Sequence, residues 1–192
     1  MIYKALEIVT AQLNTFIPPM SGQSVALVGN IAFNDSGDQA DAIQNRVVVS
    51  LVNMEEEATM KNARLTRVQG NFNGVSYHNP KINLNLYMLF SANYTDYANA
   101  LRRLSQVVLF FQGKNIFTFQ NSPMAEELPQ EFRLILNLHT LSFEQINHLW
   151  GSLGGKQVPS VLYKARLISI EAEQPKSTGP IIEHIKSSEI LD

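Results

Sequence analysis

The run NYTDYANALRRLSQVVLFFQGKNIFTFQNSP, residues 93–123, constrains the fold more than any other stretch, because it reads as a helix feeding directly into a strand. Tyr97, Leu101, Leu104, Val108 and Phe111 recur at three- and four-residue steps, so they share one face of a helix. Thr95 and Asp96 offer an N-cap oxygen and first-turn negative charge, and Gly113 can end the helix. Residues 115–119 then switch to alternation, with Ile116 opposite Phe117 and Phe119. No group in this run is placed to do chemistry; its content is architectural.

The rest of the chain supplies partners for that helix. Ile2, Leu6, Val9, Leu13 and Phe16 form the stripe of an amphipathic helix that Pro18 and Pro19 must end. Residues 24–31 read as a first strand, 33–45 as a polar loop carrying Asp35, Asp38 and Asp41, and 46–54 as a β-branched strand. In the last, Val47, Val49 and Leu51 oppose Val48 and Val52, which makes it a central strand. Residues 55–79 form an exposed, turn-rich excursion with Glu55, Glu56, Glu57, Lys61, Arg64 and Arg67. The cleanest period-two pattern follows at 81–92, with Ile82, Leu84, Leu86, Met88 and Phe90 on one face. Another strand is expected at 133–141. A short helix then opens on a capping box, Ser142 with Gln145, with Leu141 stapled to Ile146, and ends at Trp150; a last strand spans 161–170. This order predicts a single α+β domain over residues 1–171, its mixed, mostly antiparallel sheet packed with helices, followed by a polar tail at 172–192.

At 192 residues the chain is long enough to bury roughly 70% of its unfolded surface, so neither metal nor disulfide is required for stability. Only 17% of residues are charged and the net charge is −2, which hints at surface covered by partners and argues against nucleic acid. There is no cysteine, hence no thiol nucleophile and no thiolate metal site. Lys4 and Glu7 interrupt the N-terminal apolar positions, so the start is not expected to be a signal peptide. No apolar run approaches the ~20 residues of a membrane span, and no direct membrane insertion is expected.

Candidate chemistry is sparse. Gly154-Gly155-Lys156 suggests a phosphate loop, but Trp150 and Gln157 stand where glycine and a hydroxyl residue are needed, leaving a glycine-permitted turn. His139 and His148 have no third ligand at metal spacing. Glu55, Glu56 and Glu57 alternate in direction on an extended chain and do not converge on one substrate. Trp150, Phe110 and Phe111 sit at core spacing, and no nucleophile elbow accompanies the serines. The expectation is a non-enzyme without cofactor or metal.

Several blocks carry a resemblance: ALEIVTAQLN, VALVGNIA, NRVVVSLVNMEEEAT, INLNLYMLFSANYTDYANALRRLSQVVLFFQGKNIFT and LSFEQINHLWGSLGGKQVPSVLYKARLISIE. In this order they resemble the cap, or tail-terminator, proteins of extracellular contractile injection systems, the phage-tail-like particles typified by the antifeeding prophage and the virulence-cassette type. The resemblance covers residues 2–171, and the combination of VSLVNMEEE, FFQGK and LWGSLGGKQVPSVLYK is its specific part. It implies a tail-terminator-like fold and a structural role: a homo-hexameric ring that closes the inner tube and contractile sheath at the end distal to the baseplate and fixes particle length. It also implies assembly in the bacterial cytoplasm into a particle later released or attached to a membrane.

A ring built from one chain type needs two different, complementary patches per subunit. The polar segments place them, as expectations, at Asp35, Asp38 and Asp41 and at Glu55, Glu56, Glu57, Lys61, Arg64 and Arg67. Ile181, Ile182 and Ile185 give the tail enough apolar character to dock on a neighbour, for example as an added strand. The runner-up from another class is a non-enzymatic adaptor joining the particle to membrane or cargo.

Overall fold

The computed structural model describes residues 1–19, 22–33, 37–57, 66–67, 75–77, 82–122, 128–170 and 177–179. The first helix, α1 (Ile2–Phe16), buries Leu6, Val9 and Leu13 as its stripe predicts, together with Ala5 and Ile8. Two short pieces follow, strand β1 (Ala26–Val28) and helix α2 (Gly37–Ile43). Strands β2 (Arg46–Glu56) and β5 (Ile82–Asn93) form the long centre of the sheet. Between them lie β3 (Thr66–Arg67) and β4 (Val75–Tyr77). Helix α3 (Tyr97–Gly113) leads into β6 (Ile116–Thr118), then β7 (Arg133–Leu138), α4 (Phe143–Ser152), β8 (Ser160–Ile170) and β9 (Ser177–Gly179).

The main sheet has the order β1-β2-β5-β8-β7-β6. Only β1 and β2 run parallel, with Ala26 opposite Val47; every other pair is antiparallel. The α+β, mixed and mostly antiparallel reading therefore holds. A second, three-stranded antiparallel sheet joins β3, β4 and β9, with Ser76 opposite Thr178. The C-terminal segment thus returns to pair with the excursion that follows β2.

Both faces of the main sheet carry core residues, which is why β2 has Val47 and Val49 on one side and Val48 on the other. On one face Val47, Val49, Leu86, Met88 and Phe90 pack with α1 and with Val107, Phe110 and Phe111 of α3. The Phe90 ring meets those of Phe111 and Tyr163 edge-on at 5.0 and 5.6 Å. On the other face Val48, Leu89 and Leu162 pack with Ile43 of α2 and Trp150 of α4. Leu51, expected with Val47 and Val49, is 38% exposed, although it still pairs in register with Met88; the β2–β5 register shifts only beyond it, between Leu51 and Asn53.

Three strands are shorter than expected, since β1 covers only 26–28 of 24–31, β7 ends at Leu138 short of 141, and Phe119 leaves β6 for a 3-10 turn, Phe119–Asn121. Three further expectations change. Residues 37–43, expected as loop, are α2: Ile43 is buried, and Asn93 donates from Nδ2 to its carbonyl at 3.1 Å. Asn45 ends this unit at φ +54°, a conformation asparagine tolerates, and its Oδ1 accepts from Thr95 N–H. The second change is the length of α4, which continues two residues past Trp150 to Ser152 and then turns through Gly154 and Gly155, both at positive φ. Its capping box forms as expected: Ser142 Oγ accepts from Gln145 N–H at 3.2 Å, and Gln145 Oε1 accepts from Ser142 N–H at 2.9 Å.

The third change concerns α3. Its buried residues are Ala100, Arg103, Val107, Phe110 and Phe111, so of the predicted stripe only Phe111 reaches the core. Tyr97 is 66% exposed and Leu101 43% exposed. The capping reading holds in part, since Asp96 is the N-cap and its Oδ1 accepts from Ala98 N–H. Arg103 is 7% exposed; its Nη1 donates to Gln106 Oε1 at 2.9 Å and to Pro18 C=O at 3.5 Å. A guanidinium holding two neutral acceptors fixes α3 against the end of α1.

Candidate functional site

Two surfaces stand out once the sheet is in place. The first is a groove of about 640 Å³ at the end of the sheet where β5 leaves and β8 enters. Tyr97, Leu101 and Leu104 of α3 form one wall, Leu141 and Leu149 the other, and Leu138 lies at the rim. Among the described residues of its lining, His139 is the one titratable side chain apart from tyrosine, and there is no Asp, Glu, Lys or Arg. The outward stripe of α3 continues past the groove through Val108 and Leu109, which are both exposed.

The β7–β8 ladder ends at this groove. Strand β7 pairs with β8 as far as Leu138 opposite Tyr163, and His139 N–H adds one bond to Leu162 C=O at 2.9 Å. Along an antiparallel strand the backbone groups of successive residues point to opposite neighbours. Ala92 N–H bonds Pro159 C=O at 2.8 Å, so Pro159 faces β5 and Ser160 faces the side of β7. There β7 has already ended, and among the described residues no strand continues it.

The second surface is polar and lies at the far end of β2. Tyr87 Oη donates to Glu55 Oε2 at 2.8 Å, Asn53 Nδ2 donates to Glu55 Oε1 at 3.3 Å, and Asn85 Nδ2 donates to Glu57 Oε2 at 2.7 Å. Glu55 and Glu57 thus share one side of the sheet, where two carboxylates are held by neutral donors. Lys164 and Arg166 follow across the sheet, opposite Tyr87 and Asn85 in β5, and the Lys164 ammonium lies 5.7 Å from the Tyr87 ring centre. Partial burial pushes the Tyr87 phenol above its ordinary value, with the Glu55 hydrogen bond and negative charge adding to the effect.

The expected contact residues divide accordingly. Asp38 and Asp41 are exposed on α2, and Glu55 and Glu56 are exposed on β2, while Glu57 is half-buried. Arg67 lies in β3 by its backbone. Asp35, Lys61, Arg64, Ile181, Ile182 and Ile185 lie outside the described residues. Trp150, Phe110 and Phe111 are core residues, as their spacing predicts. His139 packs edge-on against Tyr87 at 5.3 Å, and His148 sits exposed on α4. The groove was missed because its α3 wall was read as core; a helix with two apolar faces was the available signal.

A model of the Pvc16 N-terminal domain matches residues 5–184, from α1 through β9. The chain belongs to the Pvc16 N-terminal domain family. Among solved structures, the sheath/tube terminator of the extracellular contractile injection system PVC, in its extended state, superposes with a TM-score of 0.64 at 13% identity, over 100% of this chain and 64% of that one. The tube-terminating cap of the anti-feeding prophage gives 0.65 at 13% identity, over 97% of this chain and 61% of that one. This Pvc16 N-terminal domain therefore has the tail-terminator fold the sequence implies, and it spans less than two thirds of either solved chain. No curated protein matches the chain.

Proposed function

We propose that this chain is a structural cap of a contractile phage-tail-like particle. Six copies form a ring that closes inner tube and sheath at the end distal to the baseplate and sets particle length, without enzymatic activity. The observation that carries this reading is the superposition of nearly the whole chain on two terminators, one described as ending sheath and tube and the other as ending a tube. Both candidate surfaces suit the role. A groove with no Asp, Glu, Lys or Arg among its described lining residues and an outward apolar helix face favour protein contacts that exclude water, while the Glu55–Arg166 face provides charges of both signs for orienting neighbours. The particle's tube and sheath proteins and sister copies are the partners, and assembly takes place in the bacterial cytoplasm.

Electron microscopy of particles from cells with and without the gene tests the proposal. Loss of the chain is expected to give uncapped sheathed particles of variable length. Uniform, closed particles of normal length in its absence would favour the adaptor reading instead.

A further inference from the structure

The six-stranded sheet ends on β1 at one edge and on β6 at the other, each three residues long. A sheet edge presents unpaired N–H and C=O groups and pairs readily with another strand unless something blocks it. Neither strand carries a charged residue or a proline, two of the common blocks. Each edge meets an asparagine amide instead. Val47 N–H bonds Val25 C=O and Gly29 N–H bonds Val49 C=O, so Val25 and Gly29 face β2 and Ala26 faces outward. There the Asn14 amide exchanges both of its bonds with Ala26 alone, as a residue of an antiparallel neighbour would. At the opposite edge Leu136 N–H bonds Asn115 C=O, which turns Ile116 and Thr118 away from β7. Asn121 Nδ2 donates to Ile116 C=O at 3.1 Å and its Oδ1 accepts from Thr118 N–H at 2.9 Å, spanning two residues as a parallel neighbour would.

Helix α1 serves both positions. Asn14 belongs to it, and Gln12, in the same turn, donates from Nε2 to the Asn121 carbonyl at 2.9 Å. Lys114 Nζ donates to that carbonyl as well, and the Thr118 hydroxyl accepts from Asn121 N–H, so Asn121 is held by three groups. A plain capping box needs only the two Thr118 contacts; the bond from Asn121 to Ile116 lies outside it and runs along the strand edge. We propose that Asn14 and Asn121 are edge guards: amides that stand where a neighbouring strand would and keep the free subunit from pairing edge to edge with a second copy. The claim concerns the isolated chain and does not depend on the terminator reading.

Purified full-length chain is compared with Asn14→Ala, Asn121→Ala and the double variant by sedimentation velocity at rising concentration, alongside melting temperature and the amide exchange of Ala26 and Thr118. One open edge admits one new pairing, so each single variant is expected to reach about twice the mass of the wild-type species. Two open edges admit open-ended growth, so the double variant should pass that limit and pellet. At low concentration Ala26 N–H should exchange faster in Asn14→Ala than in wild type, and Thr118 N–H faster in Asn121→Ala; both should slow again as the variants associate. Asn121→Asp keeps the acceptor for Thr118 N–H and puts a charge on the edge, so it should stay at the wild-type mass. Wild-type mass in every alanine variant at every concentration overturns the inference. Association of Asn121→Asp equal to that of Asn121→Ala overturns it too, because the edge would then not be what associates. If Asn14→Ala fails to fold, the comparison of the two Asn121 variants still decides.

Discussion

At Asn14 a single side chain takes the place of a neighbouring strand. Its Oδ1 accepts from Ala26 N–H at 2.7 Å and its Nδ2 donates to Ala26 C=O at 2.9 Å, so the outer edge of β1 is closed by an amide from α1. Asn14→Leu leaves both backbone groups without that partner and should cost about 1–2 kcal/mol, read by urea unfolding. Phe90, fully buried between two rings, marks the other extreme, and Phe90→Ala should cost about 3–5 kcal/mol in the same measurement. Tyr163 supplies a pH signature. Burial raises its pKa above 10.0, so the folded state holds the phenol proton more tightly than the unfolded chain does. The resulting stability is fully present below the unfolded pKa and is lost as pH rises through the folded one. Between about pH 9 and about pH 12, wild type should therefore lose more stability than Tyr163→Phe. Equal losses would mean that the phenol is as well solvated in the fold as outside it.

Helix α3 shows what a sequence pattern can and cannot decide about an element. Its limits, its N-cap at Asp96 and its exit into β6 all follow from local chemistry and were legible. Its orientation was not, because Tyr97, Leu101, Leu104 and Val108 form as good a stripe as Ala100, Val107, Phe110 and Phe111. Periodicity reports that a face is apolar, not what covers it. The choice is settled by Arg103 reaching Pro18 and by the ring cluster beneath Phe110 and Phe111, both tertiary facts. Stability should follow the structure: Phe111→Ala is expected to cost about 3–5 kcal/mol, whereas Leu109→Ala, exposed on the outer face, should stay within about 0.5 kcal/mol. Helix α2 was missed for the opposite reason. Seven residues with one buried anchor, Ile43, carry too little periodicity to register. The end of β7 at Leu138 was illegible in principle, since where β7 stops against β8 is a matter of register between distant segments.

At the scale of the whole molecule, the tail-terminator architecture was legible because its long strands, β2, β5 and β8, and its two long helices each carry a strong local pattern. The pairing of β9 with β4 was not, since two three-residue strands have no signal outside their contact. The fold has its core on both faces of one sheet, and the described residues also form a groove lined without Asp, Glu, Lys or Arg and a mixed-charge face at opposite ends of β5. Such a subunit is suited to contacts in more than one direction, as a closing ring between tube, sheath and sisters requires. Reconstruction of purified particles carrying a tagged copy of this chain tests that claim most directly. The account predicts six copies in a ring at the end distal to the baseplate, in contact with tube and sheath; tag density elsewhere on the particle, or a copy number that does not fit six-fold symmetry, would contradict it.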